Sequence, residues 1–171
     1  MNYIKRKRAW LSALPAFEVT SYGPSGPNDS SIGIKHGLMT GKKLVKVSTN
    51  PYQGEYLTKL TIHTARKIND HIKILELGTA AGISGMYLLA GMALVSGGHL
   101  ITFEGSQALA ELSEHNLHEF VVSNGLLNVD FEIIVGNFDD TLESYIHSDN
   151  AAIHMAFIYS NHQKEPTLRY H

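Results

Sequence analysis

The sequence predicts an α/β fold, a mostly parallel sheet with helices on both faces, and three observations lead there. From residue 51 onward, short runs of branched apolar residues alternate with amphipathic stretches at helical spacing. Glycines stand where strands hand over to helices. A hydrophobic content of 43% over 171 residues is enough for one core without disulfide or metal support.

After Pro51, Leu57, Leu60, Thr64, Ala65 and Ile68 recur at helical spacing, which predicts an amphipathic helix over about residues 54–69. Ile72-Lys73-Ile74-Leu75-Glu76-Leu77, closed by Gly78, has the composition of a buried parallel strand. Gly82 and Ser84 open a second helix through Met86, Leu89, Ala90 and Ala93. A strand over 99–104 follows, then a helix over 107–123, capped by Ser106 and ended by Gly125, that buries Leu109, Leu112, Leu117, Phe120 and Val121. A strand over 129–135, a short helix over 141–147 capped by Asp139 or Asp140, and a strand over 153–159 complete the alternation. Connections of this kind make right-handed crossovers between parallel strands.

The first 50 residues read differently. Lys5-Arg6-Lys7-Arg8 precedes an apolar stretch that Ser12 interrupts and Pro15 ends, too short for a signal peptide. The basic cluster reads as a solvated helix face, since no basic and aromatic residues extend it into a nucleic-acid surface. Between residues 19 and 49, Gly23, Pro24, Gly26, Pro27, Gly33, Gly37 and Gly41 punctuate a segment without periodicity, an irregular linker or a lid. The expected organisation is a basic, Gly/Pro-rich segment over 1–50 and a ligand-binding domain over 51–171.

With 18% charged residues and a net charge of -2, the chain is neither an acidic disordered tail nor a basic nucleic-acid binder. The absence of cysteine excludes thiolate metal sites, a cysteine nucleophile and disulfides, and suits a reducing compartment. No apolar run approaches the roughly 20 residues that span a bilayer. A cytoplasmic protein with no membrane partner is the expectation.

In an open parallel sheet, ligands bind beyond the carboxyl ends of the strands. After the first strand stands Glu76-Leu77-Gly78-Thr79-Ala80-Ala81-Gly82-Ile83-Ser84, a glycine loop leading to a helix N-terminus. Such a loop serves either ligand approach or close packing alone. After the second comes Glu104, whose carboxylate can accept from two ribose hydroxyls, and after the third Gly136-Asn137-Phe138-Asp139, an amide and a ring suited to a flat heterocycle. The dinucleotide fingerprint needs a third glycine that Gly78-Thr79-Ala80-Ala81-Gly82 lacks, which makes an NAD(P)-binding oxidoreductase the lesser reading.

On these residues the chain resembles the class I S-adenosylmethionine-dependent methyltransferases, with Glu76 to Ser84 similar to their motif I and Glu104-Gly105 to the acidic end of their second strand. Ile74-Leu75-Glu76-Leu77-Gly78-Thr79, Gly136-Asn137-Phe138-Asp139-Asp140-Thr141-Leu142 and Asn161-His162-Gln163-Lys164-Glu165-Pro166-Thr167-Leu168-Arg169-Tyr170 are similar to bacterial O-methyltransferase-like proteins of the Bacteroidetes type. The resemblance implies a Rossmann-like methyltransferase fold lacking its last strands, with S-adenosylmethionine as cofactor. It implies that Gly78, Thr79, Gly82 and Ser84 approach the methionine part and that Glu76 orients its ammonium. Glu104 and Gly105 would meet the ribose, and Asn137 and Phe138 the adenine. The implied reaction is O-methylation of a small molecule, with His162 as the candidate base.

Two departures stand out. Where relatives carry carboxylates around the fourth strand, this chain has His154 and then Tyr159-Ser160-Asn161-His162, a poor set for magnesium, so no metal site is expected. The strands that follow in the full fold are missing, which leaves room for a degenerate or truncated cofactor-binding domain without catalysis, and for a homodimer through the fourth strand. His115 and His118, flanked by Glu114 and Glu119, lack a third zinc ligand and read as an exposed polar helix face.

Overall fold

The computed structural model describes residues 2–24, 32–148 and 152–159. In chain order these form α1 (Asn2–Ser12), β1 (Phe17–Pro24), β2 (Ile32–Met39), α2 (Gly41–Val47), α3 (Pro51–Ile68), β3 (Ile72–Leu77), α4 (Ile83–Ala93), β4 (Gly98–Glu104), α5 (Gln107–Ser123), β5 (Val129–Val135), α6 (Phe138–Ser148) and β6 (Met155–Ile158). Four parallel strands make one sheet in the order β5-β4-β3-β6, and β1 and β2 pair as a separate antiparallel ribbon.

The alternation of side chains along each strand divides the interior in two. Ile72 and Ile74 of β3 and Leu100 of β4 face a large cluster that includes residues of α1, α2, α3, α4 and α5. Leu75, Leu77, Ile101 and Phe103 face the opposite way, onto Leu142 of α6. Helices therefore cover both faces, as the sequence predicts. From Ile83 to Leu89 every residue of α4 is buried, because α3, α5 and the sheet surround it, and an all-round apolar helix is stable only in such a place.

The central helices approach closely through glycines. A Cβ on Gly54 would lie 2.1 Å from the Tyr87 ring, and one on Gly91 would lie 2.9 Å from the Thr58 carbonyl oxygen. The start of α3 is set by an Asn50 capping box with Gln53 and by Pro51 in the first turn, so the helix opens three residues before the apolar periodicity does.

The described part of residues 19–49 is not an irregular linker. A hairpin register from Phe17↔Met39 to Pro24↔Ile32 pairs β1 with β2, and Thr40 caps α2 by accepting from the Lys43 N–H. Phe17, Val19 and Met39 pack against the main cluster, while Ile34 and Leu38 are 62% and 67% exposed. Strand periodicity is a record of one-sided burial, and β2 has little burial to record. Residues 25–31 of the Gly/Pro-rich stretch lie outside the described residues.

The basic cluster is not uniformly solvated either. Ile4, Lys7 and Leu11 lie on one stripe of α1 and are buried. The Lys7 ammonium reaches Glu119 of α5 at 2.6 Å and lies 4.7 Å from the Trp10 ring centroid, while Arg8 donates to the Thr49 and Val45 carbonyls. Long stems let both residues bury their carbons and still satisfy their charges.

Two element ends also differ from expectation. β6 is shorter than residues 153–159 and is the edge of the four-stranded sheet, with Ile153 and Ala156 exposed, so it is not apolar on two covered faces. α6 begins at Phe138, with Asp139 and Asp140 inside its first turn rather than at its cap. Among the described residues no helix is long and apolar enough to cross a membrane.

The α3–α4 contact supplies a direct test. Gly91→Ala should destabilise the fold by about 1–3 kcal/mol through overpacking against the Thr58 backbone, despite the better helix propensity of alanine. Urea unfolding at unchanged slope checks this, and equal or greater stability would show that α3 and α4 separate at little cost.

Candidate functional site

At the carboxyl end of β3 the chain turns through Gly78, Ala80 and Gly82, with φ of 98°, 50° and 76°. The left-handed region suits glycine, and an L-residue there costs roughly 1–2 kcal/mol, so Ala80 needs a holder. Its N–H donates to Glu104 Oε2 at 2.8 Å. The Gly78 and Thr79 amides donate to the Phe103 carbonyl at 3.0 and 3.3 Å, tying the loop to the end of β4. From behind, Asn116 of α5 donates its side-chain N–H to the Ala81 carbonyl at 3.0 Å, and Leu117 packs against Gly82.

Glu104 is the hub of this corner. Its Oε1 accepts from the Ser106 N–H at 2.9 Å, and its backbone carbonyl accepts from the Gly136 N–H at 3.0 Å. Burial pushes its carboxyl up, opposed by the amides of Ala80, Ser106 and Gly105. Ser106 stands at the N-cap of α5 as predicted, but its hydroxyl does not cap the helix; it accepts from the Thr20 N–H at 3.2 Å and anchors β1 beside the site.

Glu76 lies under the loop, fully buried. Its Oε2 accepts from the Thr102 hydroxyl at 2.7 Å, Thr102 Oγ1 is 2.5 Å from Thr79 Oγ1, and Thr79 Oγ1 donates to the Phe103 carbonyl at 3.1 Å. Burial pushes the Glu76 carboxyl up to about 7; the Ser84 and Thr102 hydroxyls oppose this and the Glu104 charge adds to it. Oε1 has no hydrogen-bond partner among the described residues.

The structure thus brings Glu76, Gly78, Thr79, Gly82, Ser84, Glu104 and Gly105 to one end of the sheet. The side chains of Thr79 and Ser84 turn inward, are buried, and serve the Glu76 network. Asn137 comes near through Gly136, but its side chain caps α6, with Oδ1 accepting from the Asp139 N–H at 3.4 Å and Nδ2 donating to Asp140 at 3.2 Å. Phe138 packs on the second cluster with Ile134, Tyr145 and Ile158. His162 lies outside the described residues. His115, 69% exposed, has Glu119 at 3.7 Å, and among the described residues no group of three His, Asp or Glu side chains is placed to hold a metal ion.

Sequence reasoning missed Thr102, Ser106 as the β1 anchor, and Asn116. Thr102 interrupts the apolar run Leu100-Ile101-Thr102-Phe103, and Asn116 falls on the buried stripe of α5 beside Leu117, so both were visible as polar residues at core positions. Among the described residues neither Glu76 nor Glu104 is paired with a cation. Two buried carboxylates without a counter-charge among the described residues, one beneath and one beside the glycine loop, favour a ligand that brings positive charge and hydroxyl groups.

Known proteins share this fold. Three solved structures align with the chain: an O-methyltransferase from Bacillus cereus in complex with SAH (26% identity, TM-score 0.58, 72% of this chain and 50% of that one); the O-methyltransferase TomG from Streptomyces achromogenes, involved in tomaymycin synthesis, in complex with SAM (26%, 0.57, 72% and 50%); and cofactor-bound Rv0187 from MTB (26%, 0.56, 73% and 50%). The chain spans about half the length of each. No curated protein matches it. A family model described as a methyltransferase domain matches residues 75–171, more than half of the sequence and the part that holds every strand end described above, and by that match the chain belongs to the methyltransferase domain family.

Proposed function

We propose that the chain binds S-adenosylmethionine across the loop from Gly78 to Gly82 and transfers its methyl group to an oxygen of a small molecule. The observation that carries this reading is the pair of buried, cation-free carboxylates joined across a left-handed loop. The cofactor has an ammonium and a sulfonium to offset them, and two ribose hydroxyls. Relatives of the same fold in complex with SAM or SAH support it.

In this reading the backbone of Gly78, Thr79 and Gly82 lines the methionine part, and Glu76 faces the ammonium while Ser84 and Thr102 steady its carboxylate. Each Glu104 oxygen already takes one amide and has a second lone pair for a ribose hydroxyl, with Gly105 alongside. Phe138 flanks the adenine, and Asn137 exchanges its long bond to Asp139 for the ring's amino group. When bound, the cofactor supplies a methyl group on sulfur for in-line displacement, and the protein contributes alignment, with His162 as the candidate acceptor of the substrate proton.

Cofactor binding without transfer is the second reading, favoured by Tyr159, which stacks on Phe157 where relatives of the resembled type carry a carboxylate. Incubation with labelled S-adenosylmethionine and a panel of phenols and catechols separates the two readings: binding without labelled product leaves only the second.

Calorimetry should show that Glu104→Ala weakens S-adenosylhomocysteine binding by about 1–3 kcal/mol, the usual cost of leaving hydroxyl donors without their charged acceptor, and equal binding would remove the ribose assignment. Binding should also survive EDTA, because Tyr159 is a poor magnesium ligand; a loss that magnesium reverses would reveal carboxylates acting as metal ligands. Finally, β6 offers its outer edge to a second copy, so light scattering should report a dimer, and a monomer at every concentration would retire that contact.

A further inference from the structure

The sheet interior beneath the loop contains a device that ligand recognition alone does not require. Glu76 Oε2, Thr102 Oγ1, Thr79 Oγ1 and the Phe103 carbonyl oxygen form a continuous line, with successive separations of 2.7, 2.5 and 3.1 Å. All three side chains are buried. A hydroxyl both donates and accepts, so the part of the line from Glu76 to Thr79 can run in either direction, while the Phe103 carbonyl only accepts and keeps the Gly78 and Thr79 amides when Thr79 Oγ1 turns away. With Glu76 ionised, Thr79 donates to Thr102 and Thr102 donates to Oε2. With Glu76 protonated on Oε2, the carboxyl donates to Thr102, Thr102 to Thr79, and Thr79 to the Phe103 carbonyl. A lysine in place of Thr102 would donate only, and would hold only the ionised form.

The surroundings keep the two forms close in energy. Burial disfavours the charge, the Ser84 hydroxyl of α4 and the Thr102 hydroxyl of β4 favour it, and Glu104 at the end of β4 disfavours it again. On the other side, the register partner in β6 is Phe157, stacked on Tyr159, which brings a ring and a phenol rather than a charge. Oε1 is buried and has no hydrogen-bond partner among the described residues, so it is the oxygen left to take a donor from a ligand seated against the loop.

We infer that binding of a ligand with an ammonium group beside Glu76 is coupled to release of one proton from that carboxyl, and that Thr102 and Thr79 are the positioning residues that hold Glu76 in either state. The inference rests on the cofactor assignment above. The charges balance: the neutral carboxyl gives its proton to the buffer, and the carboxylate left behind faces the incoming cation. The two hydroxyls reverse direction without changing place.

The test titrates the full chain calorimetrically with S-adenosylhomocysteine, in buffers of different ionisation enthalpy, from about pH 5.5 to about pH 7.5. Close to one proton should be released per ligand at the acid end and progressively fewer above pH 7, with affinity falling about tenfold for each pH unit below 7. The nucleoside 5′-methylthioadenosine, which has the ribose but no ammonium, should release none, and this separates Glu76 from Glu104. Thr102→Val keeps the shape and removes the donor to the carboxylate, so the release profile should move upward by about one pH unit, and Thr102→Ser should restore it. Glu76→Gln should bind with no proton release and no pH dependence below 7.

Binding of S-adenosylhomocysteine without proton release, or a Thr102→Val profile that coincides with the wild type, would overturn the inference. Failure to bind at any pH would overturn the cofactor assignment instead, and the free protein still reports on Glu76. A carboxyl raised by folding from 4.5 to about 7 binds more protons in the native state. Unfolding free energy should therefore fall as pH rises through that window, and Glu76→Gln should remove that part of the slope. The same slope in both proteins would show that Glu76 is ionised throughout.

Discussion

One hydrogen bond, from the Ala80 amide to Glu104, sets the shape of the whole corner. Ala80 sits in a region where an L-residue costs roughly 1–2 kcal/mol, and a hydrogen bond to a charged acceptor contributes about 1.5–3 kcal/mol, so the bond is strong enough to hold the turn. The same carboxylate takes the Ser106 amide at the start of α5, Ser106 takes the Thr20 amide of β1, and the Glu104 carbonyl takes Gly136 ahead of α6. Two pieces of chain distant in sequence, the Ala80 loop and the Gly136 turn, are thereby registered on Glu104, and β1 is registered through its neighbour Ser106.

How legible each part was in the sequence follows from how one-sidedly it is buried. β3, β4, β5 and α5 read correctly, three of them to the residue, because the parallel strands appear as short runs rich in branched apolar residues and α5 has a single buried stripe. The β1–β2 ribbon did not read, because only Phe17, Val19 and Met39 face the core and glycines interrupt the partner strand. Lys7 and Arg8 misled for a related reason. Residue charge predicts where the tip of a side chain goes, whereas its stem and its partner decide whether the residue is buried, and Glu119 lies 112 positions away.

The site was legible as a set of strand ends but not as a network. Glu76, the glycines and Glu104 could be named because an open parallel sheet places its ligands there. Which way Thr79, Ser84 and Asn137 point could not be read, because each has a local hydrogen-bonding alternative that sequence does not rank. Asn137 shows the competition plainly: asparagine is among the best N-cap residues, and α6 starts immediately after it. Polar residues inside apolar runs, Thr102 and Asn116, were the signal for buried machinery. A hydroxyl in the centre of a sheet face is disfavoured unless something nearby needs it.

The electrostatics of the corner also constrain which ligand would suit it. Burial disfavours ionisation of both Glu76 and Glu104, and the Glu104 charge adds to this at Glu76, so the protein alone is not at its electrostatic optimum. At the other side of the loop, the N-terminus of α4 begins at Ile83 and presents the positive end of its dipole. A purely cationic ligand would relieve the carboxylates but oppose that dipole, and an anion would do the reverse. A zwitterion satisfies all three, with its ammonium toward Glu76 and its carboxylate toward the helix end. That is the charge pattern of an amino acid, and extending it by a ribose toward Glu104 gives the order of groups in the proposed cofactor. A dinucleotide, with a pyrophosphate and no ammonium, would leave Glu76 as an unrelieved buried acid, so the charges disfavour that ligand for a reason independent of the missing third glycine.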